Sequence, residues 1–212
     1  MIQNKIAIIY DFDGTLTPKS MQEYTLLPKL GIKSKSFWEL IVKEARETGG
    51  ESMMVYMRQL LDHAKKRNVK ISKNEFFKMG KDIKYYNGVA DWFRNIDKYV
   101  KKLSGGDVEI YHYIISAGHM EILEGISIKK YIKKIFASEY FYNTEEYAVF
   151  PKIVVTDTTK TQYLFRINKG KEDLSDNINN HMPEDKRPIP VSYTHLRAHE
   201  TEADLVCRLL LE

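Results

Sequence analysis

The sequence has one cysteine, Cys207, in 212 residues, and this scarcity excludes an internal disulfide. It has no apolar run close to the ~20 residues needed to span a bilayer, and no hydrophobic signal segment precedes its first predicted strand. We therefore expect a cytoplasmic protein that does not associate with membranes.

Dense basic stripes with interleaved aromatic side chains are also missing. The net charge of +4 comes from lysines spread along the chain, so the sequence predicts no nucleic-acid partner. The length is sufficient for a sizeable core, either as one domain with an insertion or as two small domains. Nothing in the sequence indicates the oligomeric state.

The most informative stretch is residues 6–17, which read IAIIYDFDGTLT. The short β-branched run 6–10 predicts a buried strand, and Asp11 and Asp13 follow at its carboxyl end, where ligands bind in open α/β sheets. Side chains i and i+2 of an extended chain face the same side, so the two carboxylates favour a cation such as Mg²⁺ or a shared proton. A carboxylate here is also a possible nucleophile in phosphoryl transfer, and Thr15 offers a hydroxyl or N–H group to an anion.

The D-F-D-G-T run resembles motif I of the phosphatases of the haloacid dehalogenase (HAD) superfamily, and a weaker resemblance covers about residues 1–190. It implies a Rossmann-like three-layer α/β core with a parallel sheet. It also implies Asp11 as nucleophile, Asp13 as general acid and base, and both as the protein's contribution to a Mg²⁺ site. In the alternative interpretation the two carboxylates only cap the next segment.

Residues 18–85 show helical spacing without any strand signal. An all-helical insertion directly after motif I resembles the small cap of the phosphoserine-phosphatase-like subgroup. The resemblance divides the chain into a discontinuous core, 1–17 and 86–190, and a helical cap, 18–85. Glu23 and Arg58 are candidate cap contacts to a substrate.

A second polar site is predicted after the apolar run 108–115, where Ser116, Ala117 and Gly118 lead into a predicted helix over 120–135. A hydroxyl and the following N–H groups at the end of a buried strand are well placed to hold phosphate oxygens. The stretch resembles motif II of the family, although Ser116 alone is also a common helix cap.

Lys160 lies in the first turn of another predicted helix, where its charge opposes the helix dipole unless it faces an anion or carboxylates. The family has its motif III lysine at this kind of position, where it steadies the nucleophile and the phosphate. Lys152 and Lys169 are the alternatives for this role.

The family pattern breaks off near the end of the chain. Residues 171–190 predict a polar connection, after which an acidic motif IV should complete the Mg²⁺ site, and none is found. Glu202 and Asp204 follow no apolar strand and are not interpreted as ligands. Residues 191–212 resemble translated adaptor or vector sequence, so we expect a non-native tail and a core that lacks its last strand or strands.

The sequence therefore predicts a Mg²⁺-dependent phosphatase that hydrolyses a small phosphorylated metabolite through an aspartyl-phosphate. The chain as it stands is expected to be weakly active or inactive, because phosphoryl transfer depends on charge stabilisation by the metal. Three alternatives remain open. They are a phosphotransferase with an acceptor other than water, a non-catalytic binding protein with the same fold, and an unstable fragment with an exposed sheet edge.

Overall fold

A five-stranded sheet forms the centre of the structure, which a computed structural model describes for residues 4–180 and 182–193. The strand order is β4-β3-β2-β1-β5, and β4 alone runs antiparallel to its neighbour among these strands. The strands are β1 Lys5–Tyr10, β2 Glu109–His119, β3 Ile132–Tyr142, β4 Ala148–Ile153 and β5 Ile189–Tyr193.

Five of the described α-helices lie between β1 and the helix that begins at Val89, so the insertion is helical as predicted. These are α1 Met21–Tyr24, α2 Leu26–Lys29, α3 Ser34–Thr48, α4 Ser52–Lys66 and α5 Lys73–Met79. The others are α6 Val89–Leu103, α7 Met120–Glu124 and α8 Lys160–Asn168, with 3₁₀ turns at Gly80–Asp82, Lys129–Tyr131 and Glu184–Lys186. None of the helices in the described residues is long and apolar enough to cross a membrane.

Strand β1 is buried on both faces because helices cover the sheet from both sides. Ile8 and Tyr10 contribute to the core on the side of the inserted helices and α6. Ala7 and Ile9 face the opposite core, which α8 closes. Such two-sided burial explains the nearly continuous apolar run of this parallel strand. The predicted class, an α/β core with a parallel sheet and a helical insertion, is confirmed.

The helix predicted over residues 120–135 is wrong beyond its first turn. Helix α7 ends at Glu124, and strand β3 already begins at Ile132. The β-branched Ile132 and Ile135 pair with β2 and are buried there, so the sheet uses the apolar residues that gave the helical spacing. Strand β2 also continues past the predicted end at residue 115, as far as His119.

The sheet continues at the edge where we expected it to end. Strand β5 pairs in parallel with β1, with Ile6 beside Ile189 and Ile8 beside Val191. The proline at position 190 is compatible with this strand because β5 is an edge strand in the described sheet. Residues 191–193 of the expected tail thus belong to a strand, whereas residues 194–212 lie outside the described residues.

The polar connection of residues 171–190 forms hydrogen bonds with side chains of the sheet and of α8. Glu172 accepts hydrogen bonds from Tyr113 Oη at 2.6 Å and from Lys133 Nζ at 2.7 Å. The Arg166 guanidinium donates to several backbone carbonyl oxygens of residues 171–176. These bonds show how a stretch with little apolar spacing is ordered.

Replacing Gly125 by Ala is expected to destabilise the protein by about 3 kcal/mol, because a Cβ there would overpack the contact between α5 and α7. This Cβ would lie 1.8 Å from the carbonyl oxygen of Phe77, and backbone cannot step aside as a side chain does. Urea unfolding midpoints measure the effect. Gly50→Ala is the control, because its Cβ would meet only the side chains of Thr48 and Val55, at 3.0 and 3.2 Å. Equal midpoints for the two variants would contradict the prediction.

Candidate active site

Asp11 is the first residue after β1, at the carboxyl end of the central parallel strands. Its Oδ1 accepts a hydrogen bond from the N–H of Phe12 at 2.7 Å, and its Oδ2 accepts one from Lys160 Nζ at 2.8 Å. The side chain is 21% exposed, so an incoming ligand can reach it. The arrangement orients one carboxylate oxygen toward a cation at an accessible edge of the sheet.

A tight turn follows and returns the chain to the same edge. The carbonyl oxygen of Phe12 accepts the N–H groups of Thr15, Leu16 and Thr17, and the N–H of Gly14 reaches the carbonyl of Thr17 at 2.9 Å. Gly14 has φ +79°, a conformation that favours glycine. Thr15 is buried in this turn, with 1% exposure. The geometry explains the D-G-T order after the first carboxylate.

Asp13 is held by the start of the helical insertion. Its Oδ1 accepts a hydrogen bond from the N–H of Met21, the first residue of α1, at 2.9 Å. Burial and, to a smaller extent, the charge of Asp11 raise the pKa of Asp13 to about 7, against the opposing effects of the Met21 hydrogen bond and Lys160. Asp13 therefore keeps its proton to nearly neutral pH.

Lys160 is the first residue of α8, the helix that packs on the face of the sheet formed by Ala7 and Ile9. Besides Asp11, its Nζ contacts Asp157 at 3.4 Å. The two alternative lysines lie elsewhere. Lys152 pairs with Glu139 at 2.6 Å, and the ammonium of Lys169 lies 5.3 Å from the ring centre of Phe165. Of these three lysines, Lys160 is the one that contacts Asp11.

Ser116 lies at the same edge of the sheet, on the neighbouring strand. Tyr10 pairs with Ile114, so Ser116 lies two residues further along β2. The serine is fully buried, and its Oγ accepts the N–H of Gly118 at 3.0 Å. The strand continues through Gly118 to His119, and the helix that follows has only 5 residues. The predicted phosphate contact thus lies within the last residues of β2 and not at a helix N-terminus.

Met21 packs directly on the stretch that follows Ser116. The Met21 Sδ accepts the N–H of His119 at 3.2 Å, and a Cβ on Gly118 would lie 2.0 Å from Met21 Cε. The carbonyl of Ala117 accepts a hydrogen bond from Ser138 Oγ at 3.0 Å. The first turn of α1 therefore contacts both predicted motifs at once, which explains why position 118 is a glycine.

A buried hydrogen-bonded chain beside the site was not found from the sequence. Gln22 Nε2 donates to Tyr56 Oη at 2.6 Å, and Tyr56 Oη lies 2.6 Å from His119 Nε2. Burial lowers the pKa of His119 to about 3, so its imidazole is neutral. The charge of Asp13 adds to the effect of burial in raising the pKa of Tyr56, which places this chain near the carboxylates.

The candidate cap contacts named from the sequence lie in different surroundings. Arg58 is about half exposed and pairs with Glu44 and Asp62. Glu23 accepts a hydrogen bond from Ser20 at 3.2 Å. Arg58 is therefore engaged by other residues of the insertion, whereas Met21 and Tyr56 are insertion residues that contact β2.

Asp11 and Asp13 offer the hard oxygen donors that Mg²⁺ prefers. The described residues contain no group of three or more His, Cys, Asp or Glu side chains that could hold a metal ion. Mg²⁺ commonly takes only one or two carboxylates and fills its remaining positions with waters and phosphate oxygens. The pair therefore fits a Mg²⁺ site that a phosphorylated ligand helps to complete. Glu202 and Asp204 lie outside the described residues.

Asp13 is expected to make the metal-free protein less stable as the pH rises. Its pKa is higher in the folded state than the ordinary 3.8, so the folded protein binds more protons between these values and loses stability as that proton leaves. In chelator-treated protein, the stability of the wild type relative to Asp13→Asn should fall by roughly 1–3 kcal/mol between about pH 5 and pH 8. Urea unfolding at both pH values measures it.

The matched control for this experiment is Asp157→Asn, because the Asp157 side chain is 96% exposed. Its stability relative to the wild type should stay constant over the same range. A pH-independent difference between the wild type and Asp13→Asn would show that Asp13 does not hold its proton to neutral pH.

Comparisons with known proteins place this geometry in a familiar fold. No protein-family model matches the chain. An uncharacterized protein of Borreliella burgdorferi (strain B31) is 28% identical over 209 residues, which cover 89% of this chain and 72% of that protein. A substrate-bound phosphoserine phosphatase has a TM-score of 0.54 and 18% identity, with 80% of this chain and 73% of that chain covered.

Two further solved structures share this fold. A phospho-aspartyl intermediate analogue of phosphoserine phosphatase has a TM-score of 0.52 and 19% identity, with 80% and 73% coverage. A HAD family hydrolase of Salmonella enterica serovar Typhi has a TM-score of 0.53 and 15% identity, and this chain spans only 50% of its length. The fold is therefore that of HAD-type hydrolases with a helical insertion, in the phosphoserine-phosphatase-like form.

Proposed function

We propose that the protein is a HAD-like phosphatase that hydrolyses a small phosphomonoester through an aspartyl-phosphate on Asp11. The observation that carries the proposal is the constellation at the end of β1. There a lysine 2.8 Å from the Asp11 carboxylate faces a second carboxyl group that keeps its proton to near neutral pH. A nucleophile, a cation and an acid at one edge of a parallel sheet are the groups that phosphoryl transfer from an ester requires.

In the first step, a carboxylate oxygen of Asp11 forms a bond to phosphorus while the bond from phosphorus to the ester oxygen breaks. Asp13 gives its proton to the departing oxygen, so the product leaves as an alcohol. The ammonium of Lys160 faces the negative charge that gathers on the phosphoryl oxygens. In the second step, Asp13 takes a proton from water, and the water oxygen attacks phosphorus and releases phosphate from Asp11.

Mg²⁺ would be held by the Asp11 carboxylate and the backbone carbonyl of Asp13, where it supplies positive charge to the phosphoryl oxygens. We assign the remaining phosphate contacts to Thr15 and to the stretch from Ser116 through Ala117 to Gly118. The N–H of Gly118 is bonded to Ser116 Oγ, so a phosphate oxygen would take over that donor.

The proposal keeps the division into a core, residues 1–17 and 86–190, and a helical cap, residues 18–85. The cap would exclude water from the reacting groups. One of its contacts with the core is the packing of Met21 on the stretch after Ser116. The proposal also includes a small phosphorylated metabolite as partner and a cytoplasmic location.

Phosphate release from p-nitrophenyl phosphate and a panel of sugar and amino-acid phosphomonoesters, with and without Mg²⁺, tests the proposal. We expect slow turnover that requires Mg²⁺, because motif IV is not found in the sequence. Product analysis with an added alcohol acceptor separates hydrolysis from phosphotransfer. Binding of phosphate without turnover would favour a non-catalytic binding protein, and turnover that is insensitive to chelators would refute the metal-dependent mechanism.

A further inference from the structure

The buried hydrogen-bonded chain of Gln22, Tyr56 and His119 links the helical insertion to the last residue of β2. Gln22 belongs to α1 and Tyr56 to α4. His119 directly follows Gly118, whose N–H is bonded to Ser116 Oγ. The chain therefore ends on the stretch to which we assigned phosphate contacts, and the inference drawn from it rests on the proposed function.

The direction of the chain follows from its donors and acceptors. Gln22 Nε2 donates to the hydroxyl of Tyr56 at 2.6 Å, so the hydroxyl proton is left for an acceptor on the other side. That acceptor is His119 Nε2, also at 2.6 Å, because burial lowers the pKa of the imidazole to about 3 and leaves one ring nitrogen unprotonated. The ring proton of His119 is then on Nδ1.

Stability alone does not explain this polar chain. Gln22 Oε1 and His119 Nδ1, at its two ends, are buried and make no hydrogen bond within residues 4–180 and 182–193. Apolar side chains of the same shape are commonly as stabilising as a buried polar group, or more so. The rings of Phe76 and Tyr140, 5.2 and 5.1 Å from the imidazole centre, would suit an apolar side chain at position 119.

The insertion holds the end of β2 through two bonds of His119. The backbone N–H donates to Met21 Sδ at 3.2 Å, and a thioether is a weak acceptor. The ring accepts the hydroxyl of Tyr56, which is the stronger of the two bonds. Met21 also donates its own N–H to Asp13. The insertion thus contacts both the carboxyl group of Asp13 and the stretch after Ser116.

We propose that Tyr56 is a positioning residue for phosphoryl transfer. Its hydroxyl, oriented by Gln22, holds the ring of His119 and with it the end of β2. The hydroxyl of Ser116 and the N–H of Gly118 are thereby kept where the phosphoryl oxygens meet them. The phosphate-binding stretch is complete only while the insertion is docked, so docking and phosphate binding are coupled.

Tyr56→Phe removes the hydroxyl and keeps the ring, and Tyr140→Phe is the matched control. Both tyrosines are buried, and both stack on His119. The hydroxyl of Tyr140 also joins a strand to α4, but it donates to the carbonyl of Met57 at 2.8 Å and not to the end of β2.

We expect Tyr56→Phe to lower kcat/KM about 10- to 10²-fold, since a small misplacement of binding groups has effects of this size. The stretch contacts phosphate before and during the reaction, so kcat should fall and KM should rise. The inhibition constant of inorganic phosphate should rise about 5-fold or more, in step with KM. Tyr140→Phe should change each quantity less than about 2-fold.

A triple variant separates positioning from stability if Tyr56→Phe folds poorly. Gln22→Met, Tyr56→Phe and His119→Leu together replace the chain by apolar side chains of similar volume. The urea midpoint should equal or exceed that of Tyr56→Phe, whereas kcat/KM should stay low. Recovery of activity together with stability would show that the chain has only a structural role.

The tautomer of His119 is a measurement that does not depend on turnover. Nitrogen-15 NMR of the full chain should show Nδ1 protonated and Nε2 unprotonated, and Tyr56→Phe should abolish this preference. A proton on Nε2 in the wild type would overturn the proposal.

The outcomes also separate this inference from the proposed function. Wild-type protein that neither turns over phosphomonoesters nor binds phosphate would refute the proposed function, and with it the role of Tyr56. Wild-type turnover that falls alike in Tyr56→Phe and Tyr140→Phe, or in neither, would overturn the inference alone.

Discussion

Asp11→Asn is expected to reduce phosphate release by at least ~10³-fold, to the detection limit of the assay. The amide nitrogen and oxygen of Asn occupy the volume of the carboxylate, but neither atom is a competent nucleophile toward phosphorus. The hydrogen bond from Phe12 N–H remains possible, so the turn after β1 should keep its shape. Initial rates with p-nitrophenyl phosphate and Mg²⁺, at high enzyme concentration, measure the loss.

The matched control is Asp157→Asn, which removes a carboxylate 3.4 Å from the same lysine but 96% exposed. Its rate should stay within about 2-fold of the wild type, since exposed pairs contribute little. If both variants lose activity alike, the effect comes from the charge around Lys160 and not from a nucleophile. If Asp11→Asn retains the activity, the aspartyl-phosphate mechanism is refuted.

The two carboxylates of the candidate site could be predicted because their chemistry is local. Asp11 and Asp13 are two residues apart and follow an apolar run, and the strand end alone determines that they share an edge. Lys160 is 149 residues away from Asp11 along the chain, yet its unfavourable place at a helix start indicated an anionic neighbour. The position of these side chains could be predicted because each depends on a single element, a strand end for the two carboxylates and a helix start for Lys160.

Features that depend on several elements were not predictable in the same way. The chain of Gln22, Tyr56 and His119 joins α1, α4 and the end of β2, and no spacing in the sequence connects them. Tertiary neighbours decide such features.

The errors in the predicted elements have the same origin. The isoleucines of residues 126–135 satisfy helical spacing, but their position beside β2 makes the later ones part of β3. Strand β5 was not predicted because its five residues include a proline, which only an edge position beside β1 tolerates. Pairing with a neighbour decides whether such a short segment becomes a strand.

Lys160→Met is the second change expected to have a large effect. Met preserves much of the apolar stem of lysine and removes the ammonium that lies 2.8 Å from Asp11. Loss of one positioned donor to a developing charge typically lowers the rate about 10²- to 10³-fold, and we expect kcat/KM to fall by this amount. The control is Lys152→Met, which breaks an exposed pair with Glu139 and should leave kcat/KM nearly unchanged.

The same variant also distinguishes a role in the site from a general loss of positive charge. Lys160 lowers the pKa of Asp13, so its removal should raise that pKa above the value of about 7 that the intact site gives. The fall in stability of metal-free protein with increasing pH should then occur at higher pH in Lys160→Met than in the wild type, and at an unchanged pH in Lys152→Met. If the pH at which stability falls is unchanged while kcat/KM decreases, Lys160 acts on the substrate without altering the pKa of Asp13. If both quantities stay unchanged, the ammonium has no part in the reaction, and the contact with Asp11 is only structural.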